Sequence, residues 1–201
     1  MNSTASKTLL VAIGSPHGDD RVAWDVADLL ASRLPGTVST KKASVPVNMI
    51  DWIDGVKQLH IIDACDGGGQ SGSLLRCEWQ PDSSNGWPGL ERGTSETPEA
   101  STQACRPPRH PSQAQSHPGH PFNLRGAGSH DFDVVSVLEL ARTLNRLPER
   151  IIIWGIVGKN FEPSDELSSE LQSQMSAIAN VIREEVTDAR EISGAVAADS
   201  G

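Results

Sequence analysis

The chain has 201 residues, 37% of them hydrophobic and 21% charged, which suits one core of ordinary composition. Its longest apolar runs, residues 8–13 and 151–157, fall far short of the roughly 20 residues that span a bilayer, so a transmembrane helix is excluded. Seventeen basic against 26 acidic residues give a formal charge of −9 with no dense Lys/Arg run, which argues against a nucleic-acid partner.

The first predicted element is a buried strand over 7–13, an apolar run that turns sharply at Gly14. Val22, Val26, Leu29, Leu30 and Leu34 then repeat at helical spacing behind Asp19 and Asp20, two carboxylates placed where a helix N-terminus favours negative charge. Leu34-Pro35-Gly36 closes that helix. A second strand is expected over 37–43, a short helix over 46–56 with Met49, Ile50, Ile53 and Val56 inward, and a buried strand over 58–64. Residues 73–79, after a glycine-rich turn, read as a further strand.

Composition then changes abruptly. Residues 81–129 hold eight of the 13 prolines, six glycines and seven serines, with only Trp87, Leu90, Phe122 and Leu124 large and apolar. So few cannot offset the entropy of ordering 49 residues, and the segment reads as a disordered or loosely held insertion, dispensable for folding. Cys105, His110, His117 and His120 within it show no tight metal-ligand spacing. Beyond it come a helix over 131–147, a β-branched strand over 151–157 and a helix from about residue 166 along Leu167, Leu171, Met175, Ile178, Ile182 and Val186. This order predicts a three-layer α/β/α sandwich on a mostly parallel, twisted sheet, phosphorylase/hydrolase-like, as one domain over 1–192 with a small-residue tail over 193–201.

Ligands of such folds bind at the carboxyl ends of the strands, and acidic residues collect there. Asp19 and Asp20 follow the first strand, Asp63 ends the third, and Ser129-His130-Asp131 precedes the helix after the insertion. A carboxylate ending a strand as apolar as His60-Ile61-Ile62 is costly to bury unpaired, which marks Asp63 as functional. Two carboxylates and an imidazole from three strand ends can take a divalent transition metal with open positions. Asp19 or Asp20 could equally be a plain helix cap. Cys65 lies near Asp63 but has no assignable base, and three cysteines without a CxxC spacing form no disulfide framework.

Four stretches, taken in order, resemble one family. Gly14-Ser15-Pro16-His17-Gly18-Asp19-Asp20 is similar to the Gly-Asn-Pro-x-x-x-Asp-Asp/Glu motif of the nickel-iron hydrogenase maturation endopeptidases, and Ile62-Asp63-Ala64 before a Gly-rich turn to their Asp-Ala strand end. Ser129-His130-Asp131-Phe132 resembles their Ser-His helix start, and Gly155-Ile156-Val157 with Glu162-Pro163 their last strand and helix entry. The resemblance spans nearly the whole chain outside the insertion and tail. It implies an aspartic-type hydrolase, a monomer, that removes a C-terminal extension from a hydrogenase large-subunit precursor after nickel insertion; the cytoplasm is expected from an N-terminus too poor in apolar residues for a secretory signal and from three cysteines without a disulfide framework. The nickel arrives with the precursor, and no organic cofactor is needed.

Carried over residue by residue, the resemblance assigns the metal to Asp20, Asp63 and His130 and the general base to Asp20 or Asp63, with Asp19 in the adjacent, secondary position. Ser15 replaces the usual Asn, Arg21 the usual Gly and Ala23 the next Gly, and the first loop is one residue shorter. Arg21 could pair with the ligand beside it or hold the substrate's C-terminal carboxylate; the second is the expectation here. His17 could approach the metal from the same loop.

Other classes remain open from sequence alone. A phospho-acceptor receiver domain would also use Asp19, Asp20 and Asp63, with Lys159 and magnesium, but leaves His130 unexplained. A nickel-checkpoint protein that binds precursor without cutting it is a third reading. A tRNA-cleaving hydrolase of similar architecture fits a −9 chain least.

Overall fold

Three apolar runs form the centre of the sheet: β1 (Thr8–Ile13), β3 (Gln58–Asp66) and β7 (Arg150–Val157). The computed structural model describes residues 8–66, 69–80, 91–92, 123–124 and 133–188. Among them the sheet runs β2-β1-β3-β7-β4-β5, where β2 is Val38–Ala43, β4 is Leu74–Trp79 and β5 is Glu91–Arg92; β6 (Asn123–Leu124) pairs with β3. β2, β1, β3 and β7 are parallel, while β4 runs antiparallel to β7.

Parallel strands need cover on both faces. α1 (Val22–Ala31) and α3 (Ser169–Asp188) cover one, packing Val22, Val26, Leu30, Leu171, Ile178 and Ile182 on Leu10, Ile62, Trp154 and Ile156. α2 (Val134–Thr143) and a 3-10 helix, Pro46–Asp51, cover the other, over Val11, Ile61 and Ile153. Each such Leu, Ile or Val contributes roughly 1.5–3 kcal/mol relative to exposure. The predicted three-layer sandwich on a mostly parallel sheet is thus the observed architecture.

Element ends depart from expectation for local reasons. The helix expected over 46–56 is the 3-10 helix Pro46–Asp51 followed by turns, ending before Gly55 at φ 69, although Met49 and Ile53 still point into the core. The helix expected over 131–147 begins at Val134, where Asp133 caps it by accepting from the Ser136 N–H at 2.7 Å. It ends before Asn145, which takes a left-handed φ of 54. The last helix starts at Ser169 and not at 166, because the Ser168 N–H is drawn to the Asp19 carboxylate. The first helix ends at Ala31, short of Leu34.

Most of the insertion, and the tail from residue 189, lie outside the described residues. The parts of the insertion that are described are paired strands. β5 pairs with β4 through Leu75↔Arg92, and β6 with β3 through Cys65↔Leu124 and Asp66↔Asn123. β1 pairs with β3 only as far as Ile62, so β6 takes up the same edge of β3 where β1 has ended.

Candidate active site

Asp63 is the penultimate inward residue of β3, on the face it shares with Ile61 and Cys65 by strand alternation. It is 1% exposed, and neither carboxylate oxygen has a hydrogen-bond partner among the described residues. Burial holds its pKa well above the ordinary carboxylate value, the charge of Asp20 pushes it the same way, and the neighbouring Ala64 amide, which does not reach hydrogen-bond geometry, opposes both only in part. Such a group is costly to keep. Among the described residues no hydrogen bond to its oxygens offsets that cost, a pattern that functional carboxylates often show.

Asp20 lies on the 3-10 turn Gly18–Arg21, which packs against β3 and brings the Asp20 charge to bear on Asp63. Gly14 makes the approach possible. A Cβ there would collide with the Asp20 carbonyl oxygen, so the chain after β1 folds back against itself only without a side chain at that position.

Asp19, the other half of the acidic pair, does different work. It is fully buried; its Oδ2 accepts from the Lys159 and Asn160 N–H groups at 2.9 Å each, and its Oδ1 from the Ser168 N–H at 2.9 Å. Burial pushes its pKa up, but the three backbone donors outweigh burial and hold it below the ordinary value. Both oxygens are therefore occupied by the loop between β7 and α3.

Arg21 follows Asp20 on the same turn and is partly exposed. Its Nε donates to Asp25 Oδ2 on α1 at 3.0 Å and its Nη1 to the Asp165 carbonyl, in the loop between β7 and α3, at 3.0 Å. His17 is exposed, its N–H directed to Ser15 Oγ at 3.4 Å. Cys65 is buried, and its thiol is pushed up to about 12 by burial and by Asp63 and Asp66, which leaves no thiolate for nucleophilic work at neutral pH. His130 lies outside the described residues, as do Cys105, His110, His117 and His120. Among the described residues no three His, Cys, Asp or Glu side chains gather closely enough to hold a metal ion.

One buried polar group was not anticipated from sequence. His60 is fully buried on the opposite face of β3; its Nδ1 accepts from Trp154 Nε1 at 3.2 Å, and its Nε2 lies 2.9 Å from the Gln58 amide nitrogen. Burial lowers its pKa to about 4, so it is a neutral imidazole within the core. Only the polar residues Gln58 and His60 at alternate positions of an apolar run hint at it.

No protein-family model matches the chain, and no curated protein matches it by sequence. Solved structures do match in three dimensions. The hydrogenase maturating endopeptidase HybD from E. coli superposes with a TM-score of 0.59 at 14% identity, over 94% of each chain. The [NiFe] hydrogenase maturation protease HybD from Thermococcus kodakarensis gives 0.59 at 16% identity, covering 90% of this chain and 99% of that one. A hydrogenase 2 maturation peptidase from a Thaumarchaeota archaeon gives 0.54 at 18% identity, covering 90% and 97%. At such identities the likeness is one of fold, and it agrees with the family that the four motifs resemble: this chain folds as the hydrogenase maturation endopeptidases do.

Proposed function

We propose that this protein is a cytoplasmic endopeptidase that removes the C-terminal extension of a hydrogenase large-subunit precursor once nickel is in place. The observation that carries the reading is Asp63, a buried carboxylate with both oxygens unpartnered among the described residues, beside Asp20, at the ligand-binding edge of a fold shared with proteases of that kind. A divalent cation held on the precursor brings positive charge to this pair. Its charge relieves the repulsion between Asp20 and Asp63 and favours loss of the proton that burial keeps on Asp63.

His130 is the third ligand in this reading. α2 begins at the carboxyl edge of the parallel strands, since its other end leads directly into β7. His130 stands three residues before the Asp133 cap and six after Leu124, which pairs with Cys65 two residues beyond Asp63. The described residues on either side of it, Leu124 and Asp133, lie toward the edge that carries Asp63, which supports this reading. With nickel, the substrate's metal, seated on these side chains, the neighbouring peptide bond is positioned for attack by water with Asp20 or Asp63 as general base.

A receiver-like use of the same carboxylates is disfavoured by Asp19, whose oxygens are already occupied by three backbone donors, and by β4, a strand where a receiver needs a helix. The test is incubation of the purified chain, as wild type, Asp63→Ala and His130→Ala, with nickel-loaded precursor, read by precursor mass. Loss of a C-terminal peptide with wild type alone supports the proposal. Tight binding with unchanged mass would replace it with the checkpoint reading.

A further inference from the structure

The division of labour between Asp19 and Asp20 carries one step more, which rests on the proposed peptidase reading. We infer that Asp19 is a positioning residue: its carboxylate clasps the loop 158–168 to the turn after β1 and thereby holds Asp20 over Asp63. The clasp is made from both directions. The loop donates three N–H groups to Asp19, from Lys159, Asn160 and Ser168. The turn donates two back, the Asp19 N–H to the Asn160 carbonyl at 2.7 Å and the Gly18 N–H to the Ser164 carbonyl at 2.6 Å.

Space on either side of the clasp is closed. A Cβ on Gly158 would lie 2.9 Å from the Asp19 Cβ, and one on Gly18 would lie 2.6 Å from the Asn160 carbonyl oxygen. Beneath the turn, the Asp20 carbonyl rests where any side chain at Gly14 would stand. The backbone of 18–20 is therefore confined between β1 and the loop, and the Asp20 carboxylate inherits a fixed origin. A carboxylate suits the role better than an amide, because three donors converge on two acceptor oxygens and an amide would turn its own NH2 toward one of them. Asp19 neither meets the precursor nor moves a proton; it acts through Asp20.

Two measurements on the full-length chain test this. Asp19→Asn should exchange the Lys159, Asn160 and Ser168 amide hydrogens at least about tenfold faster, with the amides of β3 and β7 unchanged. Its single-turnover cleavage of nickel-loaded precursor, with enzyme in saturating excess so that the folded fraction does not enter, should slow by roughly ten- to a hundredfold, as about 1 Å of misplacement can cause. Precursor affinity should stay near that of wild type. Gly158→Ala, which crowds the Asp19 Cβ without changing its chemistry, should give the same pattern and serves if Asp19→Asn does not fold. Unchanged exchange in both variants overturns the clasp. Faster exchange with an unaltered single-turnover rate overturns the positioning role. A wild type that cleaves nothing overturns the peptidase reading, while the exchange data still judge the clasp.

Discussion

Replacing Asp63 by asparagine should make the folded protein more stable while removing its activity. Wild-type Asp63 is wholly buried with both oxygens unpartnered among the described residues, and its pKa lies well above 3.8 through burial and the nearby Asp20 charge. Between pH 3.8 and that raised value the folded state binds a proton that the unfolded chain has released, so wild-type stability falls as pH rises through this window. The amide of the Asp63→Asn variant has no such proton to hold and lacks the slope. The cost of an unsatisfied buried group, about 1–3 kcal/mol, is carried by the amide as well and largely cancels. What differs is the proton held against the solvent, about 1.4 kcal/mol for each pH unit above the unfolded value, with a ceiling of roughly 4 kcal/mol at pH 7. At roughly 2–4 °C per kcal/mol for a chain of this size, the variant should melt several degrees above wild type at neutral pH. Thermal melts at pH 4 to 8 should show the gap widening with pH and levelling off above the folded pKa. A variant less stable than wild type at pH 7, or a gap independent of pH, would refute the reasoning and make Asp63 a structural group.

Three further outcomes are expected. Asp133→Ala removes the cap that accepts from the Ser136 N–H and should lower stability by about 1 kcal/mol in denaturant titration; an unchanged midpoint would mean the cap is idle. Gly18→Ala places a side chain at φ 51 and within 2.6 Å of the Asn160 carbonyl, so a loss of about 1–3 kcal/mol is expected, and a neutral result would show that the loop yields. Glu185 accepts from Arg76 at 2.7 Å and from Arg150 at 3.0 Å; burial alone would raise its pKa, but the two guanidinium groups outweigh it and hold the value low. Its stabilisation is present above the ordinary value of 4.5 and is lost as pH falls through the lowered one. Glu185→Gln should therefore cost about 1 kcal/mol or less at pH 7, since the pair is part-exposed, and the difference should shrink under acid.

Much of this was legible in the sequence because burial leaves a direct trace there. β1 and β7 are nearly continuous apolar runs and β3 a largely apolar one, as strands covered on both faces must be, and Asp63 stands out as a carboxylate that such a strand has no other reason to contain. The helices were legible as stripes but not at their ends. Asn145 and the Ser168 amide stop and start them through a left-handed residue and a contact 149 positions away in sequence. Nor could the sequence divide the acidic pair. Asp19 and Asp20 are adjacent and alike, and only the arrival of the loop 158–168 makes one a clasp and leaves the other facing Asp63. The Arg21 pair with Asp25 was legible as well, since Asp25 sits one helical turn along.

The central claim is that Asp63 and Asp20 read the nickel carried by a precursor and so license the cut. Its most direct test offers the wild-type chain two forms of one precursor, nickel-loaded and metal-free, and follows the mass of each. The account predicts that a C-terminal peptide is lost from the nickel-loaded form alone, and that Asp63→Asn, though folded and more stable, releases none. Equal cleavage of both forms, or full activity in Asp63→Asn, would contradict it.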